Sequence, residues 1–376
     1  MQITSAFDSG NIDVVSIDDA ANIQLTIRAD HNTEKFQWFH FALHGAAGQD
    51  CRLNLTNAGN AAYVDGWKDY HAVASYDRET WFRVETEFDG STLTILHTPE
   101  RNQVYYAYFA PYSSERHHDL IAACQDDDRV YYQSLGLTPD GQSLDLLRIG
   151  TPEEGKKVCW IIARQHPGET MAQWWMEGCL AALLDDADAV SHALLSQCVF
   201  YLVPNMNPDG SRRGHLRHNA HGTDLNRAWR QPSLETSPEV FHVRQKMEQT
   251  GVDFFLDVHG DEGQPYNFIA GAEGIPSWSA HKQAQLDGFK QALVAASPEF
   301  QTEFGYDVDA PGQANLDIGS NFIAQHFDCL SMTLEMPFKD NAALPNPIVG
   351  WSPERAAAFA PANLKALLAC LQQQLL

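Results

Sequence analysis

His166 and Glu169 stand three residues apart in Lys157-Val-Cys-Trp-Ile-Ile-Ala-Arg-Gln-His-Pro-Gly-Glu-Thr170, and an imidazole and a carboxylate so spaced can ligate one divalent ion. The spacing alone says little, because His-x-x-Glu occurs four times: His31/Glu34, His97/Glu100, His166/Glu169 and His259/Glu262. The first two pairs fall among polar residues and read as solvated side chains. The third lies between an apolar run, Val158 to Ala163, and a stretch with Met171, Trp174, Trp175 and Gly178 at helical spacing. A strand, a loop carrying two ligands and a helix are what an α/β sheet sets at its carboxyl edge. His259 follows a second apolar run, Phe254 to Val258. Taken alone it reads as a hydrogen-bonded core histidine. Taken with the pair, it makes two imidazoles and a carboxylate, a zinc set that leaves one position open for chemistry.

Between Ser211 and Arg230 there are five arginines (212, 213, 217, 227 and 230) against one acid, Asp224. This is either a solvated basic loop or, beside a metal, a place for an anionic substrate group, since the planar guanidinium gives a carboxylate two parallel hydrogen bonds. Two other patterns mislead. Gly150-Thr-Pro-Glu-Glu-Gly-Lys156 imitates a phosphate-binding loop, but Lys157 occupies the place of the Ser or Thr that binds magnesium. No Gly-x-Ser-x-Gly elbow is present, so a serine hydrolase lacks its local signature.

The elements that must position these residues change character along the chain. Residues 1–118 alternate with period two: Ile23, Leu25 and Ile27; Phe39, Phe41 and Leu43; then Phe82 to Phe88 running into the hairpin signal Asp89-Gly90. This predicts an antiparallel β-sandwich domain. The aromatic stretch Tyr105–Tyr112 is expected to close it against its neighbour, and Ser113–Asp119 to be the connection. Residues 119–376 show strands alternating with helices, which predicts a mixed, largely parallel sheet flanked by helices. Within them, Ser237-Pro238-Glu239 opens a helix that Gly251 ends. Leu330 to Met336 is a late strand carrying Glu335, and Ser352-Pro353 opens a terminal helix.

Composition bounds the function. With 376 residues, 44% hydrophobic, two cores can be filled. A net charge of −24 opposes binding to nucleic acid or anionic membranes. No apolar stretch approaches the roughly 20 residues of a membrane span, and the N-terminus lacks the basic start and apolar run of a signal peptide. The seven cysteines form no Cys-x-x-Cys pair and fall mostly in apolar runs, so buried free thiols in a reducing cytoplasm are expected.

Five motifs in order, His166-Pro-Gly-Glu169, Asn207-Pro-Asp-Gly210, Gly222-Thr-Asp-Leu-Asn-Arg227, Asp257-Val-His259 and Thr333-Leu-Glu335, together resemble the zinc metallocarboxypeptidases, and most closely their cytosolic branch. That branch carries a β-sandwich ahead of its catalytic domain, and residues 1–118 look like it. The resemblance implies one Zn2+ ion held by His166, Glu169 and His259, with Asp224 orienting a ligating histidine. It implies that Asn226 and Arg227 bind the C-terminal carboxylate of a peptide, that Arg217 stabilises the oxyanion, and that Glu335 is the general base. Digestive members have a tyrosine covering the substrate, and Leu316–Phe322 offers none here.

The resemblance thus implies a cytoplasmic hydrolase removing C-terminal residues, acidic ones such as glutamate foremost, from peptides or protein tails. Two rivals stay open. One is a zinc amidohydrolase of the same fold cleaving N-acyl amino acids. The other is a non-catalytic peptide-binding protein.

Overall fold

The computed structural model describes residues 1–376. Residues 2–107 form two five-stranded sheets packed face to face. One has His40–His44 and Gln103–Ala107 at its centre; the other has Cys51–Leu55 between Ile23–Thr26 and Leu93–His97. Alternation decides which side chains meet: Phe41 and Leu43 from one sheet and Leu25, Leu53 and Ile95 from the other are all buried. The Asp89-Gly90 hairpin forms as expected, between Glu85–Phe88 and Leu93–His97. One pairing departs from an antiparallel pattern, since Ile23–Thr26 and Cys51–Leu55 run parallel.

Ser113–Asp119 is not a loose connection. Ser113 accepts a hydrogen bond from the Arg116 backbone N–H and caps a helix, Ser114–Gln125. Next comes a hairpin, Val130–Leu137 with Ser143–Ile149, that adds two antiparallel strands to the edge of the main sheet. The centre of this seven-stranded sheet is parallel: Cys198–Val203, Lys157–Ala163, Phe254–Val258 and Leu330–Glu335. Their strand-to-helix ends therefore open on one edge. Phe268–Ala270 completes the other side antiparallel.

Period-two alternation along Lys157–Ala163 sends Cys159, Ile161 and Ala163 into one core and Trp160 and Ile162 into the other. The first core is continuous with the β-sandwich, and Tyr108 stacks on Phe338 with ring centroids 4.5 Å apart. The helix Thr170–Leu183 is buried on every side along its first two turns rather than on one face. It is enclosed by the Tyr105–Tyr112 segment, whose Ala110 carbonyl accepts from Thr170 and Trp174, and by the terminal helix Pro353–Gln372. Gly178 makes that last contact possible, because a Cβ there would lie 2.1 Å from the Ala357 carbonyl oxygen. No helix is long and apolar enough to cross a membrane. All seven cysteines are free and buried.

Candidate active site

The strand Lys157–Ala163 ends at Arg164, whose φ of 59° places a non-glycine residue in the left-handed region. Buried hydrogen bonds hold it there: Nε to the Pro167 carbonyl, and Nη1 to the Tyr112 carbonyl and Gln173. The turn thus reversed delivers His166 and then Glu169, the residue before the helix Thr170–Leu183. His259 follows directly on Phe254–Val258. The ligand-capable atoms of His166, Glu169 and His259 all lie within 4.8 Å of one another, and all three residues are buried.

Their geometry suits a cation. His166 Nδ1 is 2.6 Å from one oxygen of Glu169, and His259 Nδ1 is 2.8 Å from the other. The far ring nitrogens face carboxylates too: His166 Nε2 is 3.1 Å from Asp224 and His259 Nε2 is 2.9 Å from Asp257. His166, donating through Nε2 to Asp224, turns a lone pair at Nδ1 toward Glu169. Two acceptors at that distance repel unless a positive charge lies between them. Burial pushes the Glu169 pKa up, but the flanking His166 and His259 outweigh it and bring it down to about 2. Burial likewise lowers the His259 pKa, and Asp257 and Glu169 more than reverse this. The residues present therefore fit a divalent metal.

Glu335 ends its strand beside this cluster, and its Oε2 is buried without a hydrogen-bond partner. Burial pushes its pKa well up, and the neighbouring Glu169, Asp261 and Glu262 add to that over the opposing His259. Asp224 uses its second oxygen to accept from Arg217 Nε at 2.8 Å. Asn226 is held by the Gly319 backbone N–H, which donates to its Oδ1 at 2.8 Å. Arg227 is exposed, and its one side-chain hydrogen bond is to the Asn226 carbonyl.

His166, Glu169, His259, Glu335, Arg217, Asn226 and Arg227 line one cleft of about 740 Å³. Of the five arginines between 211 and 230, only Arg217 and Arg227 reach it. Arg213 pairs with Asp140 and Arg230 with Asp317, so most of the basic stretch serves the surface. Eight acidic residues line the cleft, against two arginines and Lys290. Of the other His-x-x-Glu pairs, His31, Glu34 and Glu100 are exposed, whereas half-buried His97 bonds the Tyr106 hydroxyl. Glu262 reaches the cleft but is not among the three clustered ligands.

Several residues of the site escape a linear reading. Tyr306 reaches in from the segment after Phe300, donating to Asp261 at 2.6 Å and to Glu335 Oε1 at 3.2 Å. Asp257 lies two residues before His259, a signal visible only once that run is known to be a strand. Residues 62–66 of the β-sandwich form one wall of the cleft, and Tyr63 accepts from Arg217 Nη1 at 2.6 Å.

A mixed sheet with this His/Glu/His cluster at the carboxyl ends of its parallel strands is the arrangement of a metal-dependent peptide hydrolase. The chain belongs to the zinc carboxypeptidase family, whose model matches residues 119–352, while residues 3–109 match the cytosolic carboxypeptidase N-terminal domain. It is a metallocarboxypeptidase of that family, and the family implies a metal cofactor. A metallo-carboxypeptidase from Burkholderia cenocepacia is 48% identical, with a TM-score of 0.97 over 99% of both chains. One from Pseudomonas aeruginosa, solved with (2-guanidinoethylmercapto)succinic acid, is 45% identical over 99% of this chain and 100% of that one, with a TM-score of 0.97. Mouse cytosolic carboxypeptidase 6 is 28% identical over 71% of this chain, a match spanning only 54% of the mouse protein.

Proposed function

We propose that this protein is a zinc-dependent carboxypeptidase that hydrolyses the C-terminal peptide bond of peptides or protein tails, with one zinc ion held by His166, Glu169 and His259. The observation that carries this reading is the approach of both Nδ1 atoms to Glu169 while each ring is backed by a further carboxylate. Two imidazoles and a carboxylate are a catalytic rather than a structural zinc set. Zinc bound there supplies Lewis acidity, bringing the pKa of water to about 7 and polarising a carbonyl.

The protein's own residues do the rest. Arg227 makes no ion pair within the chain, so its guanidinium is free to clamp the terminal carboxylate beside Asn226. Arg217 spends Nε on Asp224 and Nη1 on Tyr63, which leaves Nη2 for the scissile carbonyl oxygen. A donor placed where charge develops is worth roughly 3 kcal/mol. Glu335 takes a proton from the attacking water at its unpartnered Oε2. As the C–N bond breaks, it returns that proton to the leaving amine.

The side-chain preference we propose is for acidic residues, glutamate foremost. Arg212 and Arg213 lie outside the cleft, so the cation for such a side chain is Lys290, 4.0 Å from Glu273. Matched peptides ending in Glu, Lys or Phe, assayed alongside metal analysis, test both readings. Fastest release of Lys removes the acidic preference, and no release from any peptide removes the peptidase. Activity confined to acetyl-aspartate-like compounds favours the amidohydrolase, but a cleft this large, walled by both halves of the chain, favours longer substrates. We also place the protein in the cytoplasm, as its free buried thiols and the names of its relatives support; recovery from another compartment on fractionation overturns this. We take residues 1–118 and 119–376 as its two domains, in keeping with the gap between the two family matches.

A further inference from the structure

We infer that the N-terminal β-sandwich is a working part of the reaction site, with Asp30 and Tyr63 acting as positioning residues that hold Arg217 toward the scissile carbonyl. This rests on the role proposed above for Arg217. The loop carrying Arg217 has little regular structure of its own, lying after the short helix Pro208–Arg213 and before the turn at Leu225–Arg227. Its backbone N–H groups must find partners elsewhere. They find them in one carboxylate of the other domain. Asp30 Oδ1 accepts from the Leu216 N–H at 2.7 Å, and Oδ2 accepts from Arg217 and His218 at 2.8 and 2.9 Å. His218 Nδ1 closes on the same oxygen at 3.0 Å. Asp30 is only 2% exposed, so these bonds are not exchanged with water.

Two more contacts fix the loop from the same side. Asn11 donates to the Gly214 carbonyl at 2.8 Å, and the Ser9 N–H donates to the Arg212 carbonyl at 2.9 Å. Gly214 has φ +71°, and a Cβ there would lie 2.6 Å from the Ser9 carbonyl oxygen. No other residue allows that approach without moving the domains apart.

Tyr63 acts on the guanidinium itself. A single partner at Nε leaves the plane of Arg217 free to tilt, whereas a second acceptor at Nη1 defines it. Tyr63 is in turn gripped by the wholly buried Gln37, whose Oε1 accepts from the Tyr63 N–H at 2.8 Å and whose Nε2 donates to the Tyr63 carbonyl at 3.1 Å. The Gln37 amide also donates to the Tyr108 hydroxyl at 3.0 Å. The positioning thus runs from the sandwich core to Arg217, and through Asp224 to His166.

The test compares Tyr63→Phe, Arg217→Ala and the double variant in the full chain. The substrate is an N-acylated tripeptide ending in whichever residue the panel shows is released fastest. Tyr63→Phe should lower kcat roughly tenfold. Its KM should stay within about twofold, since the lost contact serves the transition state, and its metal content should not change. Added to Arg217→Ala, it should lower kcat no further. Asp30→Asn, where its melting curve shows it folded, should repeat the kcat loss. Full kcat in Tyr63→Phe, or losses that add in the double variant, overturn the inference while leaving Arg217 its role. Full kcat in Arg217→Ala overturns the role of Arg217, and the inference falls with it.

Discussion

His259 Nε2 stands 2.9 Å from Oδ1 of Asp257, two residues earlier in the chain. In an extended strand, residues i and i+2 share a face, so the Asp-x-His pattern sets a carboxylate behind the ring without any loop to aim it. Gln165 steadies the other oxygen, donating at 2.6 Å. Asp257→Ala should therefore weaken metal binding by roughly 10–100-fold. Titration against a competing chelator measures this. Unaltered affinity would mean that the ring needs no such support.

Glu335→Gln keeps the shape of the side chain and removes its basicity. Turnover should fall by roughly 10²–10⁴-fold while zinc stays bound. Activity assays paired with metal analysis of the same sample check it; retained turnover would mean another group takes the proton.

Chelation should abolish hydrolysis and also lower the melting temperature. Three carboxylates, Glu169, Asp224 and Asp257, surround two imidazoles in this buried cluster. Removing a cation from it leaves unbalanced charge, and a ligand bound only by the folded state stabilises it, by about 4 kcal/mol at 1,000 times its Kd. Scanning calorimetry with and without zinc reads the shift. Identical melting curves would argue against metal binding at the cluster.

Glu239 makes stability depend on pH. Burial raises its pKa to about 7, against a modest opposing effect of hydrogen bonds that include Asn219. The folded state then holds this proton more tightly than the unfolded chain, whose glutamates titrate near 4.5. Its contribution is most favourable below that value, falls as pH rises through the interval, and is lost above 7. The full span is on the order of 3 kcal/mol. Denaturant titrations from pH 5 to 8 should show the decline in the native chain and a flatter profile in Glu239→Gln; parallel profiles would remove Glu239 as the cause.

Much of the architecture was legible because it is periodic. Alternation marked the β-sandwich, and apolar runs ending in His-Pro-Gly-Glu and Asp-Val-His marked two parallel strands whose ends meet. What stayed hidden depends on neighbours distant in sequence. Nothing around Tyr306 marks it, since its hydroxyl acquires meaning only where its segment crosses Asp261 and Glu335. Asp30 looks like any turn aspartate until the loop at residues 216–218 lies against it. The arginine-rich stretch misled in the opposite sense. Charge counted along the chain cannot tell Arg213, neutralised by Asp140, from Arg217, which faces the cleft. Glu239 lies in the first turn of the helix that Ser237-Pro238 opens, as the sequence suggests, but position along a helix does not reveal that Asn219 and the surrounding chain seal it from water.

The seven interior thiols give this molecule a built-in clock for its own opening. A maleimide in solution can label none of them until the chain around it gives way, so adduct formation times that event. Cys51 is in the sandwich and the other six lie beyond residue 118. Peptide mass fingerprints taken during labelling would then tell whether the two halves breathe together or whether one loosens first.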